Sequence, residues 1–246
     1  MQLKNGDHAV LVSPQGGSIL QWQWREHFIL GPTRTVRVGD QLKKRGITHW
    51  CWPNFGTIKE PKYVNTYPQH GFLWDTVLDI ASRSGISAEF KKPLIGPIVK
   101  ISVDADTVTA FLIHKNDSGE RMPVLPALHP YFAVPKAGLS INVNDVLYES
   151  RKIPSNAHPA DNMRIAIPQE FRKNPAHVDL HGIGRVYLFT TENCSHVVIW
   201  SDKSSEYVCV EPIFGGAPGS YGTENGAWLE PGETFKCAVG FHLEPF

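Results

Sequence analysis

The sequence is short of several things at once. No apolar run in its 246 residues approaches the ~18–20 residues that a bilayer-spanning helix requires, so no membrane helix is expected. There is no excess of either charge: 24 Lys and Arg balance 24 Asp and Glu. A nucleic-acid binder normally carries a basic surplus, so that class is disfavoured. The four cysteines, Cys51, Cys194, Cys209 and Cys237, form no C-x-x-C pair, and neither a metal centre nor a redox site is expected. Reduced thiols are the corresponding expectation. The opening residues Met1 to Asp7 carry no apolar signal segment, which points to a cytoplasmic location. Helical periodicity is scarce. Only Ile167 to Lys173 suggests a short helix, with Pro168 near its first turn.

What is present is a chain that turns often, with 21 glycines and 19 prolines. Short segments alternate polar with apolar residues, as in Ser18-Ile19-Leu20-Gln21-Trp22-Gln23-Trp24. Comparable runs recur at 27–30, 47–52, 72–80, 86–90, 98–103, 107–114, 139–148, 185–190, 196–200, 206–213 and 234–243. Turn signals such as Asn116-Asp117-Ser118-Gly119 and Pro231-Gly232 separate them. Such spacing predicts an all-β, mostly antiparallel sandwich built as a single domain over residues 1–246. Segment 149–182, polar and proline-rich, reads as an excursion over one end of it or as a mobile loop. Lys43-Lys44-Arg45-Gly46-Ile47 reads as solvated surface leading into an aromatic stretch, Thr48-His49-Trp50-Cys51-Trp52-Pro53-Asn54-Phe55-Gly56, whose residue types suit a sugar.

Three segments place a titratable residue among aromatics, Gly and Pro. In Tyr207-Val208-Cys209-Val210-Glu211-Pro212, strand alternation puts Tyr207, Cys209 and Glu211 on one face. Glu211 is either a held carboxylate at a sheet rim or a solvent-facing strand end, and Pro212 is expected to stop the pairing there. In Leu128-His129-Pro130-Tyr131-Phe132, His129 has the same setting, with Tyr131 as a flat neighbour; a satisfied core histidine is the alternative. His70, in Gln69-His70-Gly71-Phe72, is either a ligand contact or a turn histidine. His177 and His181 would suit zinc only on a helix, which the intervening residues argue against.

Taken in order, these segments resemble the aldose 1-epimerase (galactose mutarotase-like) superfamily, and most nearly its branch of glucose-6-phosphate 1-epimerases. Gly16-Gly17-Ser18-Ile19 is similar to an early G-G-x-I turn. Lys44-Arg45-Gly46-Ile47 with Cys51-Trp52-Pro53-Asn54-Phe55-Gly56 is similar to an R-G-G-I-P-x-x-W-P-x-F-G block. His70-Gly71-Phe72, His129-Pro130-Tyr131-Phe132, Val208-Cys209-Val210-Glu211-Pro212 and Leu229-Glu230-Pro231-Gly232-Glu233 resemble H-G-F, H-P-Y-F, V-C-V-E-P and L-x-P-G-E. The resemblance implies a β-supersandwich that interconverts the α and β anomers of a hexose or hexose 6-phosphate. It implies no cofactor and no metal. Glu211 would be the general base and His129 the general acid. His70, Arg45, Asn54, Trp52 and Tyr131 would contact a small-molecule sugar or sugar phosphate. No nucleic-acid or membrane partner is expected, and a monomer or weak homodimer is. A non-catalytic carbohydrate-binding or sensing protein on the same scaffold is the alternative. Two positions depart from the pattern: Leu73-Trp74 stands where the family has Ala-Arg after H-G-F, and Gly184 where it has an Asp.

Overall fold

The computed structural model describes residues 1–38, 40–92, 96–143, 146–149, 163–166, 175–201 and 206–246. Two large antiparallel sheets dominate. In the first, the strands run in the order Gln2–Asn5, His8–Ser13, Ser18–Trp24, His27–Leu30, Tyr131–Ala133, Tyr207–Phe214, Ala127–His129 and His49–Cys51. Cys194–Ser201 also pairs with Tyr207–Phe214 and carries Met163–Ala166 beyond it. The second sheet runs Val146–Glu149, Leu139–Val143, Ala176–Leu180, Gly184–Thr190, Thr234–Pro245, Thr107–Lys115, Ile98–Val103, Ser87–Lys91 and Asp79–Arg83. Two small ribbons, Met122–Val124 with Ala227–Leu229 and Arg34–Val38 with Gln41–Arg45, complete the set. Among the described residues no helix is long and apolar enough to cross a membrane.

The sheets face each other across one apolar layer. Trp50, Leu128, Phe132, Val197, Ile199, Val208, Val210 and Phe214 of the first sheet pack with Val108, Ala110, Leu112, Val239, Phe241 and Leu243 of the second. Burying each such side chain contributes roughly 1.5–3 kcal/mol, which is why strands with this alternation lie flat on one another. Phe241 anchors the contact, with Trp22 and Phe132 at 6.4 and 6.0 Å between ring centres.

The alternate residues of the same strands face the other way. Cys51, Ala127, Val198 and Ile213 form a second buried cluster with Leu125, Ile58 and Tyr221, while Tyr131, Tyr207 and Cys209 form a third with Val36. Loop residues around 55–67 and Tyr221 therefore roof one part of the outer face, and the ribbon bearing Val36 roofs another. This double coverage explains why all eight residues of Tyr207–Phe214 are buried.

Several expectations need revision. Pairing does not stop at Pro212, which sits opposite Val197 in a strand that continues to Phe214. The Phe214 amide donates to the Pro126 carbonyl, so by two-residue alternation the donor that Pro212 lacks would point to the same neighbour. That neighbour is broken at Pro130, between the strands ending at His129 and starting at Tyr131, and no ladder bond is forfeited. The 72–80 run is not one strand: Leu73–Asp75 is a single 3₁₀ turn and pairing resumes at Asp79. Segment 149–182 is no simple excursion, since it contributes Met163–Ala166 to one sheet and Ala176–Leu180 to the other. The helix expected over 167–173 lies outside the described residues. Lys43, Lys44 and Arg45, read as solvated surface, lie on a paired ribbon strand with Lys44 exposed and the other two half-buried.

Candidate functional site

The site grows from strand register. Ala127 pairs with Ile213, and Tyr131 pairs with Cys209. His129 is midway between Ala127 and Tyr131, and Glu211 midway between Ile213 and Cys209. The two are therefore directly opposite, on the outer face, at the break that Pro130 and Pro212 create. Their side chains meet: His129 Nε2 lies 3.5 Å from Glu211 Oε1. On the other side of His129 the pairing partner is His49.

The His129 imidazole is enclosed by rings. His49 stacks on it at 5.1 Å with planes 17° apart, and Tyr131 stacks at 4.8 Å and 15°. His70 and Trp200 approach edge-on at 5.5 and 5.8 Å. The Arg45 guanidinium lies over the Trp200 ring, 5.4 Å from its centre. His129 and Glu211 are 6% and 2% exposed, whereas His49, His70, Arg45 and Trp200 are only half-buried. His129 and Glu211 thus lie buried among four side chains that are themselves partly open to solvent.

Burial sets the electrostatics. Glu211 is pushed well above the ordinary carboxyl value of 4.5 by desolvation. His129 is pushed well below 6.5, first by desolvation, then by repulsion from His49, His70 and Arg45; its own main-chain carbonyl opposes them weakly. Burial thus disfavours the charged form of each group. Glu211 Oε2 and His129 Nδ1 are buried without a hydrogen-bond partner.

His70 is held in one tautomer. The Gly56 amide donates to its Nδ1 at 3.3 Å, and the Cys51 thiol lies 3.3 Å from the same atom. The neutral ring therefore carries its hydrogen on Nε2. Burial, with His49 adding to it, pulls its pKa down to about 3, so it stays neutral near pH 7. Its backbone is in the left-handed region at φ 66°, followed by Gly71 at φ 72°. A methyl group on Gly71 would collide with the Trp52 carbonyl, so only glycine lets this turn close on the sheet.

Of the residues expected to contact substrate, Arg45, His70 and Tyr131 are brought together around His129. Two are not. Trp52 is 1% exposed and faces the inter-sheet core, 4.9 Å from His114 and 6.2 Å from Phe235. It is one residue out of phase with Cys51, which lies on the outer face. Asn54 is fully buried, and its amide donates to the carbonyls of Gly56 and Pro68 at 2.9 and 3.2 Å, bracing the loop that carries His70. The sequence reading placed His49 in a ligand-like stretch without singling it out, and it missed Trp200. Their signal was present in the register: each sits opposite a residue of the outer face, His49 against His129 and Trp200 against Cys209.

The two departures from the family pattern have distinct explanations. Trp74 is 41% exposed and lies 6.2 Å from His49, its indole fixed by donation to the Gly71 carbonyl at 3.1 Å. Gly184 belongs to the second sheet, paired with Leu180 and Pro245, where a Cβ would come within 2.6 Å of the Glu244 carbonyl oxygen. No side chain fits there. Nearby Arg185 is taken up by Asp179 at 2.6 and 3.0 Å.

His129, Cys209 and Glu211 present potential metal-ligand atoms within 4.8 Å of one another. Bonds of ~2.0–2.3 Å to zinc would require a tighter cluster. His177 lies on a strand against Tyr187, and His181 sits in a turn beside the Ala137 carbonyl, so the two share no helix face.

No protein-family model matches the chain, and no curated relative matches it in sequence. Solved structures do match. A putative aldose 1-epimerase from Escherichia coli K12 superposes with a TM-score of 0.74 at 19% identity, covering 100% of this chain and 98% of that one. A galactose mutarotase related enzyme from Lactobacillus acidophilus gives 0.75 at 14% identity, covering 99% and 97%. A putative mutarotase from Salmonella typhimurium gives 0.69 at 13%, covering 100% and 90%. The fold is that of the galactose mutarotase-like β-sandwich proteins.

Proposed function

We propose that the protein is an aldose 1-epimerase, acting as one domain on the anomeric centre of a hexose or hexose 6-phosphate. The observation that carries this reading is the cross-strand His129–Glu211 contact of 3.5 Å beneath the partly open His49, His70, Arg45 and Trp200. Anomerisation needs a proton removed from the C1 hydroxyl while the ring oxygen gains one. Those two oxygens share one carbon, so the two protein groups must themselves be neighbours. Glu211 takes the hydroxyl proton and His129 gives one to the ring oxygen. The ring opens to the aldehyde, the C1–C2 bond rotates, and closure on the other face reverses both transfers. Atoms and charge balance without a further reactant. Positioned acid–base groups contribute typically ~10²–10⁴-fold each. The half-buried neighbours supply His70 as a hydroxyl donor, and Arg45 and Trp200 as a cation on an aromatic face.

Saturation-transfer NMR between the two anomeric proton signals tests this directly, using glucose, galactose and glucose 6-phosphate. Exchange faster than in buffer with at least one of them is expected. Binding without accelerated exchange would select a sugar-binding or sensing protein instead.

A further inference from the structure

We infer that His49 is a positioning residue whose flat ring, with that of Tyr131, holds the His129 imidazole in its working orientation. The inference rests on the epimerase reading above. A histidine used for proton transfer is ordinarily oriented by a hydrogen bond from its second nitrogen to a carbonyl or carboxylate. His129 has none: Nδ1 is buried and unpartnered, and a contact with the residue's own carbonyl anchors it to nothing else. Its other nitrogen reaches only Glu211, at the limit of hydrogen-bond distance.

What the ring does have is two near-parallel neighbours. His49 lies at 5.1 Å and 17°, Tyr131 at 4.8 Å and 15°. Rotation about the Cβ–Cγ bond would drive the imidazole edge into one of them. The clamp is itself fixed. His49 pairs with His129 across the strands, and its Nδ1–H donates to the Ile47 carbonyl at 2.8 Å. Trp74 lies against its outer side at 6.2 Å. The partly open His49 contributes little to the core, so its placement answers to His129.

The consequence is a shape requirement at position 49. His49→Ala and His49→Leu should fold, lower kcat about 10- to 100-fold as the acid loses its orientation, and leave KM within about 3-fold. His49→Phe, which keeps a flat ring, should recover most of kcat. It should also move the His129 limb of the pH–rate profile upward, because a ring able to carry positive charge is gone. Glu211, His70, Arg45, Tyr131 and Cys209 also face this region and are unchanged by the substitution. A second readout needs no sugar: NMR titration of the His129 ring in wild type and the three variants, with melting curves alongside. Altered ring shifts in the Ala and Leu variants, restored in the Phe variant, are expected. Unchanged His129 shifts in His49→Ala would overturn the inference. So would a kcat equal to wild type in that variant, or equal losses in the Phe and Leu variants. Absence of epimerase activity in the wild type would instead refute the function, leaving the ring titration to decide the clamp.

Discussion

Replacing Glu211 by Gln separates catalysis from stability, because burial makes this carboxyl useful for one and unfavourable for the other. The change is nearly isosteric, so it disturbs the packing of Tyr207–Phe214 little. It removes the base, and turnover should fall ~10²–10⁴-fold. Stability should move the opposite way. Glu211 is 2% exposed and its folded pKa is raised by desolvation, so the folded state binds its proton more tightly than the unfolded state does. Such a group favours folding fully below its unfolded pKa of 4.5, and that contribution is lost as pH climbs toward the folded value. At pH 7 the deficit has a ceiling of about 3.5 kcal/mol, set by the distance from 4.5 at ~1.4 kcal/mol per unit. A chain of this size shifts its Tm by ~2–4 °C per kcal/mol. Glu211→Gln should therefore melt several degrees above wild type at pH 7, and the gap should close as pH falls below 4.5. Calorimetry at the two pH values, beside anomeric exchange rates, provides the assay. A variant that melts below wild type at pH 7, or that keeps its activity, would refute the reasoning.

The pH–rate profile should be bell-shaped, falling on the acid side when the His129–Glu211 pair takes up a second proton and on the alkaline side when it loses its only one; His70, lowered to about 3, should add no limb above pH 4. A limb that disappears in His70→Gln would contradict this. Gly71→Ala should destabilise by more than ~1 kcal/mol in urea titration, since φ is 72° and the methyl meets the Trp52 carbonyl; an unchanged midpoint would show that the turn can relax. Arg185→Ala should cost under ~1 kcal/mol and leave exchange rates unaltered, because its ion pair with Asp179 is partly exposed and lies on the second sheet. Loss of activity in that variant would mean Arg185 reaches the site.

Much of this was legible in the sequence for a physical reason. Period-two alternation decides which face of a strand is apolar, so Val208 and Val210 against Cys209 and Glu211 already declared a core side and a second side. The fold class follows from that pattern, whereas the His129–Glu211 pair came only from the family resemblance that the order of the motifs carries. What was not legible depends on pairing between distant strands. His49 and Trp200 reach the site through partners 80 and 9 positions away, His129 and Cys209, and no local pattern reports that register. Trp52 misled because an aromatic stretch looks ligand-like whichever face each ring takes, and here odd and even positions separate outer face from core. Pro212 misled because a missing donor ends a strand only when a partner needs it. The ribbon over 34–45 resisted reading because its exposed cations mask the buried Val36 that pins it to Tyr131, Tyr207 and Cys209.

The most direct measurement is the position of a bound aldose in crystals of the Glu211→Gln variant, whose slowed chemistry allows the sugar to be trapped. The account places its anomeric carbon over His129 and Glu211, with the C1 hydroxyl and ring oxygen each within ~2.6–3.2 Å of one of the two side chains. A sugar seated elsewhere, for example in the 420 Å³ cavity lined by Tyr63, Arg121 and Trp228, with the His129 site empty, would contradict it.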